Sequence, residues 1–321
     1  MSKRVVITGA SSGIGAATAE AFARQGARLV LAARNGEGLN QVAERVRAAG
    51  GEATPVPTDV TDAAAVAALA ARAREVLGGI DLWFSNVGVG VMGAFQEVAM
   101  AAHAQVIATN LVGHMNDAHA VLPIFLEQGH GTFVNMISVG GFLATPQAAA
   151  YSASKFGLRG FSEALRGELS LHPRIHICDI YPTFVDTPGI QHAGNQVGKR
   201  LSVPPGVLDP RHVAAAVVRL ADHPRNTTAV GAPAMALKLA QLFTPNLGAA
   251  VMSNFLRSYF AKAADVPRTD GALFAPAGPT GEIDGGFRRP DQRRTAAAVA
   301  GGVAGVAALG LGALLLARRR S

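Results

Sequence analysis

Arg4-Val-Val-Ile-Thr8 runs directly into Gly9-Ala-Ser-Ser-Gly13-Ile-Gly15. The β-branched run reads as a short buried strand. The glycines permit a tight turn, and Ala16 to Gln25 reads as a helix. Strand, glycine-rich turn and helix in this order open a dinucleotide-binding βαβ unit. Backbone N–H groups at the helix N-terminus can approach a pyrophosphate there because few side chains stand in the way. The spacing is Gly-x-x-x-Gly-x-Gly rather than the commoner Gly-x-Gly-x-x-Gly.

Outward from this turn, strands and helices alternate. Arg28–Ala33 reads as a second strand, residues 38–49 as helix and Glu52–Thr58 as a third strand. A helix spans Asp62–Leu77, followed by strands over Ile80–Ser85, Gly131–Ile137, Arg174–Tyr181 and Thr227–Val230. One long helical stretch is expected over Met100–Gln128, and another helix starts at Asp209-Pro210, with Pro at its first position. Such alternation over residues 4–231 predicts an α/β, doubly wound parallel sheet covered on both faces.

Several polar residues fall at the ends of these strands. An acid after the second strand would hold the ribose 2′-hydroxyl of NAD, but Arg34 stands there. A guanidinium at that place can pair with a 2′-phosphate, which favours NADP(H) over NAD(H). Asp59, followed by Val60, is placed either to contact an adenine ring or to cap the next helix, for which Asp62 is the better candidate. Asn86 and Gly88 follow the fourth strand, where cofactors lie in doubly wound sheets. Asn110 is unfavourable in mid-helix, so it has either a local role or a buried amide. Ser138 ends the fifth strand.

Tyr151-Ser-Ala-Ser-Lys155 lies in an Ala-rich helical setting that puts both side chains on one face. A free tyrosine is a poor base near neutrality. A neighbouring ammonium favours the phenolate and would lower its pKa, so the pair is expected to transfer protons.

The chain of 321 residues is 49% hydrophobic and has one cysteine, Cys178, in an apolar run. That excludes an intramolecular disulfide and fits a reducing compartment. The net charge of +7 is concentrated at the end: from Arg288 onward seven arginines and one acid give +6, leaving +1 for residues 1–287. A near-neutral body argues against nucleic-acid binding, and a basic tail argues for an anionic surface. No paired-cysteine or HExxH metal motif occurs. His172 and His176 are separated by Pro173 and a strand start, so no metal site is expected.

Taken together, Thr8-Gly9-x-x-x-Gly13-x-Gly15, Asn110, Ser138 and Tyr151-x-x-x-Lys155 resemble the short-chain dehydrogenase/reductase family over about residues 3–231. The resemblance implies a Rossmann fold and an oxidoreductase that interconverts a carbonyl and a secondary alcohol by hydride transfer. Tyr151 would then be the general acid/base and Ser138 the partner of the carbonyl oxygen. Lys155 would lower the tyrosine pKa and hold the nicotinamide ribose, while Asn110 would anchor a relay water. The phosphate turn would comprise Gly9, Ser11, Ser12, Gly13, Ile14 and Gly15, with Ser11 and Arg34 near the 2′-phosphate. Asp59, Val60, Asn86 and Gly88 would line the cofactor. Pro182, Val185 and Thr187 match the stretch that contacts the carboxamide. Two departures are Ser85-Asn86-Val87-Gly88 for Asn-Asn-Ala-Gly and Pro182-Thr183 for Pro-Gly. The family also implies a small-molecule substrate and a homo-oligomer. A non-catalytic nucleotide sensor or scaffold on the same fold is the alternative, though it would have no need of the proton relay.

Beyond the body, Met235, Leu239, Leu242 and Phe243, and then Val251 to Phe260, have the spacing of two C-terminal amphipathic helices, either packed on the body or covering an apolar substrate or membrane face. The catalytic domain is expected to span 1–265, with a Pro/Gly-rich linker over 266–294. Thr295–Ala317 carries no charge over 23 residues. As a C-terminal hydrophobic helix it would be roughly 34 Å long, against about 30 Å for a bilayer core. A transmembrane anchor is therefore expected there, with a cytoplasmic body.

Overall fold

The computed structural model describes residues 2–203, 206–231, 245–276, 278 and 281–288. Strands β1 (Arg4–Thr8), β2 (Arg28–Ala33), β3 (Glu52–Pro57), β4 (Leu82–Ser85), β5 (Gly131–Met136), β6 (Ile175–Pro182) and β7 (Thr227–Val230) form one parallel sheet, in the order β3-β2-β1-β4-β5-β6-β7. β3 carries Pro55 and Pro57, which cannot donate to a ladder; it sits at the sheet edge, where that costs nothing on the solvent side. The order reverses between β1 and β4, which pair Thr8 with Ser85. That switch point opens a crevice at the carboxyl ends of the strands.

Alternation along the strands sends successive side chains to opposite faces. Val5 and Ile7 of β1 join Leu29, Leu31, Phe84 and Ile180 under helices α1 (Gly13–Ala23), α2 (Gly36–Ala48) and α7 (Pro210–Asp222). Val6, Val30, Trp83 and Phe133 point the other way, into α3 (Ala63–Leu77) and α5 (Gly113–Gln128). Asp62 caps α3 by accepting from the N–H groups of Ala64 and Ala65, and Asp209 caps α7 through Arg211 N–H.

The expected helix over Met100–Gln128 is continuous but not uniform. It comprises α4 (Met100–Ile107), a π turn over Ala108–Val112, and α5. Asn110 lies in the π turn, so the residue that was unfavourable in mid-helix marks a local change of winding. α6 (Ala149–Glu168) follows β5, and α8 (Pro245–Phe260) is the second of the expected C-terminal helices. The first, around Met235 to Phe243, lies outside the described residues, as does the uncharged run 295–317. Among the described residues no helix is long and apolar enough to cross a membrane.

The described residues of the stretch from Asp265 to Arg288, expected as a linker, lie against the body. Thr269 pairs with Asn195, and Leu273 and Ile283 are buried at 1% and 8% exposure. Its Pro/Gly-rich composition removes periodicity without preventing burial of isolated apolar side chains.

Candidate active site

Helix α6 brings Tyr151 and Lys155 onto one face, with the Lys155 ammonium 5.7 Å from the centre of the tyrosine ring. Lys155 is buried and donates to the Met136 carbonyl at the end of β5, 3.0 Å away. Burial pushes its pKa down to about 7. The half-buried Tyr151 phenol is pushed up by desolvation, opposed by a hydrogen bond with the Ser138 hydroxyl. Desolvation outweighs the partner, and the opposing contribution comes from Ser138.

Ser138 has φ of 123°, a left-handed value that few non-glycine residues adopt, and such strain tends to mark functional positions. Its Oγ accepts from Gly140 N–H at 3.2 Å, which leaves the hydroxyl proton free to point at the phenol. Asn110 sits opposite. Its Oδ1 accepts from Val89 N–H and its Nδ2 donates to the Val89 carbonyl, both at 2.8 Å, with a further donation to Ser154 Oγ at 3.2 Å. The π turn therefore clamps the loop after β4 to the helix that carries Tyr151.

Two buried polar groups beneath this site escaped the sequence reading. His114 lies with Nδ1 2.7 Å from Asn135 Oδ1 and Nε2 2.8 Å from the Val87 carbonyl, and as a neutral ring it donates to one of the two. Burial and the nearby Lys155 charge push its pKa down to about 4. Asp117 accepts from the hydroxyls of Thr8 and Ser85, each at 2.7 Å, and ties β1 to β4 at the switch point. Burial raises its pKa to about 6. Both lie at positions that resemble ordinary polar helix residues; only the fold buries them.

On the cofactor side, Gly9 has φ of +67° and Gly13 φ of +54°. A Cβ at Gly9 would stand 2.8 Å from the Asn86 carbonyl oxygen, and one at Gly15 would run into the Gly9 carbonyl. The turn is therefore closed by backbone-to-backbone approach that only glycine allows. Asn86 Nδ2 donates to the Gly9 carbonyl at 3.1 Å and so fixes the turn to β4. Ser12 holds the N-cap of α1 with extended backbone and no side-chain cap, Ser11 lies beside Gly38, and Ile14 begins the helix body. Asp59 spends its carboxylate on Thr61 N–H and Oγ, at 2.9 and 2.8 Å. Val60 is buried against Gly113, Gly88 lies 4.0 Å from Asn110 Oδ1 as measured from an added Cβ, Pro182 ends β6, and Val185 is buried.

The donors in this groove face acceptor oxygens. Gly13 N–H donates to the Glu282 carbonyl at 2.8 Å. The Arg34 guanidinium donates to the carbonyls of Ala272 and Leu273 at 2.7 and 3.3 Å. Gly285 packs against Thr187. Main-chain N–H groups, a guanidinium and a small glycine-lined wall are the donor set a phosphorylated dinucleotide requires, so these residues fit NADP(H). The segment that engages them has no sequence signature, because its carbonyls are common to every residue. Among the described residues no group of three or more His, Cys, Asp or Glu could hold a metal ion.

A doubly wound sheet with a glycine turn at its first strand and Ser, Tyr and Lys gathered at its carboxyl edge defines a Rossmann-type oxidoreductase. The chain belongs to the short-chain dehydrogenase family, whose model matches residues 3–197. It is 35% identical over 219 residues to the ketoacyl reductase HetN of Nostoc sp., covering 68% of this chain and 74% of that one. It is 30% identical over 274 residues to the uncharacterized oxidoreductase YxnA of Bacillus subtilis, covering 84% and 77%. Among solved structures, an alcohol dehydrogenase of the archaeon Thermococcus sibiricus complexed with 5-hydroxy-NADP superimposes with TM-score 0.63 at 28% identity, over 72% of this chain and 96% of that one. A metagenomic short-chain oxidoreductase in complex with NADP gives 0.61 at 30% identity, over 72% and 97%.

Proposed function

We propose that this chain is an NADP(H)-dependent oxidoreductase interconverting an apolar carbonyl and its secondary alcohol. The observation that carries the reading is the convergence of Ser138, Tyr151, Lys155 and Asn110 at the carboxyl edge of the sheet, with Arg34 directly after β2. The cofactor supplies the hydride when bound. Gly13 N–H and the turn around it would hold the pyrophosphate, and Arg34 with Ser11 the 2′-phosphate. The phenol of Tyr151 would give its proton to the carbonyl oxygen, which Ser138 also contacts. Its raised pKa keeps it protonated through the neutral range, as reduction requires. Lys155, on the same helix face and with its pKa lowered by burial, would return a proton toward the tyrosine. The amide of Asn110 is engaged by Val89 and Ser154, which supports a clamping role for its side chain beside the relay-water role that the resemblance implies. Tyr151 packs against an apolar cluster that includes Val91, Val98 and Ala150, which supports an apolar substrate.

A panel of ketones and aldehydes turned over with NADPH and with NADH tests this. Tyr151→Phe should lose about 10²- to 10⁴-fold in rate, the range general acid catalysis supplies. Unchanged turnover in the variant would remove the enzyme reading, and preference for NADH would remove the role of Arg34. The uncharged run 295–317 supports a further element of the proposal, attachment to a membrane. Recovery of the full chain in the soluble fraction at low salt without detergent would refute that element.

A further inference from the structure

We propose that the described residues of 265–288 form an internal strap that competes with NADP(H) for the dinucleotide groove, so that the cofactor binds only when the strap is displaced. The inference rests on the cofactor reading above. Three of the groups assigned to the cofactor are engaged by the strap. Gly13 has a single N–H, and it donates to the Glu282 carbonyl at 2.8 Å; it cannot also serve a pyrophosphate oxygen at full strength. The guanidinium of Arg34 is turned onto the Ala272 and Leu273 carbonyls. Gly285 lies against the Thr187 backbone, held by Gln191 Nε2 donating to the Gly285 carbonyl at 2.6 Å. Carbonyl oxygens thus stand where phosphate and carboxamide oxygens would be recognised. Leu273 enters the apolar cluster against which Tyr151 packs, so the same segment also reaches the substrate side.

The strap is fastened at both ends, and between them Asn35 Nδ2 donates to the Gly278 carbonyl at 3.2 Å, Arg45 reaches the Gly281 carbonyl, and Arg211 pairs with Asp284 at 2.9 Å. At its start, Asn195 and Thr269 exchange two backbone hydrogen bonds at 2.7 and 3.0 Å, Ala272 N–H donates to the His192 carbonyl at 2.8 Å, and Lys199 meets Asp265 at 2.7 Å. At its end, the buried Asp186 carboxylate accepts from the N–H groups of Phe287 and Arg288 and from the Arg288 guanidinium, at 2.8, 3.1 and 3.1 Å. Arg288 also reaches Asp209 and Asp284. Between these anchors, Phe274, Ala275 and Pro276 are exposed, and Ile283 supplies the one apolar plug into the face beneath α1 and α2 among the described residues of the strap's second half. None of these contacts belongs to the sheet ladder, so the segment can lift without unfolding the sheet.

If the strap is closed nine-tenths of the time or more, apparent cofactor affinity is weakened by about tenfold or more. NADPH fluorescence titration of the full chain, of Arg288→Ala, which loosens a surface anchor, and of Ile283→Asp, which removes the plug, reads this directly. Both variants should bind NADPH about tenfold tighter or better. Hydrogen exchange on the unaltered full chain supplies a readout that needs no variant: NADPH should slow exchange at residues 9–15 and speed it at 281–287. Equal or weaker binding by both variants, or slower exchange of the strap on adding NADPH, overturns competition while leaving the cofactor site standing. Failure of the full chain and both variants to bind NADPH, with strap exchange visibly faster in the variants, overturns the cofactor reading and the strap with it.

Discussion

Replacing Lys155 with Met should stabilise the fold while removing activity, and the gain should depend on pH. Lys155 is 3% exposed, and burial pulls its pKa from the ordinary 10.5 to about 7. At about 1.4 kcal/mol per pH unit, keeping the charged form inside costs on the order of 5 kcal/mol. The sign follows from proton counts. Between pH 7 and 10.5 the unfolded chain holds this proton and the folded one has lost it, so the native protein gains stability as pH rises through that window. Below pH 7 the whole penalty is present. Methionine has similar length and no charge, so it lifts the penalty, but it leaves the Met136 carbonyl without its donor, a loss of roughly 1–3 kcal/mol. The net expectation is a gain of about 2–4 kcal/mol at pH 6, shrinking to about zero by pH 9. Urea denaturation of both proteins at the two pH values measures it, with turnover followed in parallel. A variant less stable at pH 6, or one whose difference is the same at both pH values, would show that burial of the ammonium is not the dominant effect.

Asn110→Ala strands the N–H and carbonyl of Val89 and should destabilise the protein by about 2–4 kcal/mol in urea denaturation; a loss under about 1 kcal/mol would mean the π turn holds without its clamp. Asp117→Asn keeps an acceptor for Thr8 and Ser85 but cannot ionise. Because burial raises the Asp117 pKa from 3.8 to about 6, wild-type stability should fall as pH climbs through that window, by up to about 3 kcal/mol from this group. The variant should therefore match or exceed wild type at pH 7 and lose that advantage at pH 4. An advantage independent of pH would contradict the assignment.

What could be read from the chain beforehand was what neighbours in sequence determine. Arg4–Thr8 followed by Gly9, Gly13 and Gly15 specifies a strand, a turn needing positive φ and a helix start, all within twelve residues. The four-residue step from Tyr151 to Lys155 specifies a shared helix face. Proximity alone, however, does not give the sign of an electrostatic effect. The ammonium beside Tyr151 is itself desolvated and turned to the Met136 carbonyl, and burial lowers its own pKa. His114 and Asp117 illustrate the same limit: an amphipathic pattern ranks polar positions as outward-facing, and only the crossing of α5 over β4 puts these two at 0% exposure. The strap lies further still from sequence reasoning. Besides the ion pairs of Asp265 and Arg288, its grip comes from backbone carbonyls of Ala272, Leu273 and Glu282, which any residue carries, and from two isolated apolar side chains in a Pro/Gly-rich run. A segment recognised through its main chain has little need of a pattern in its side chains. It follows that substitutions at Ala272 or Glu282 that preserve the backbone should leave the grip intact, whereas loss of Ile283 or Arg288 should release it.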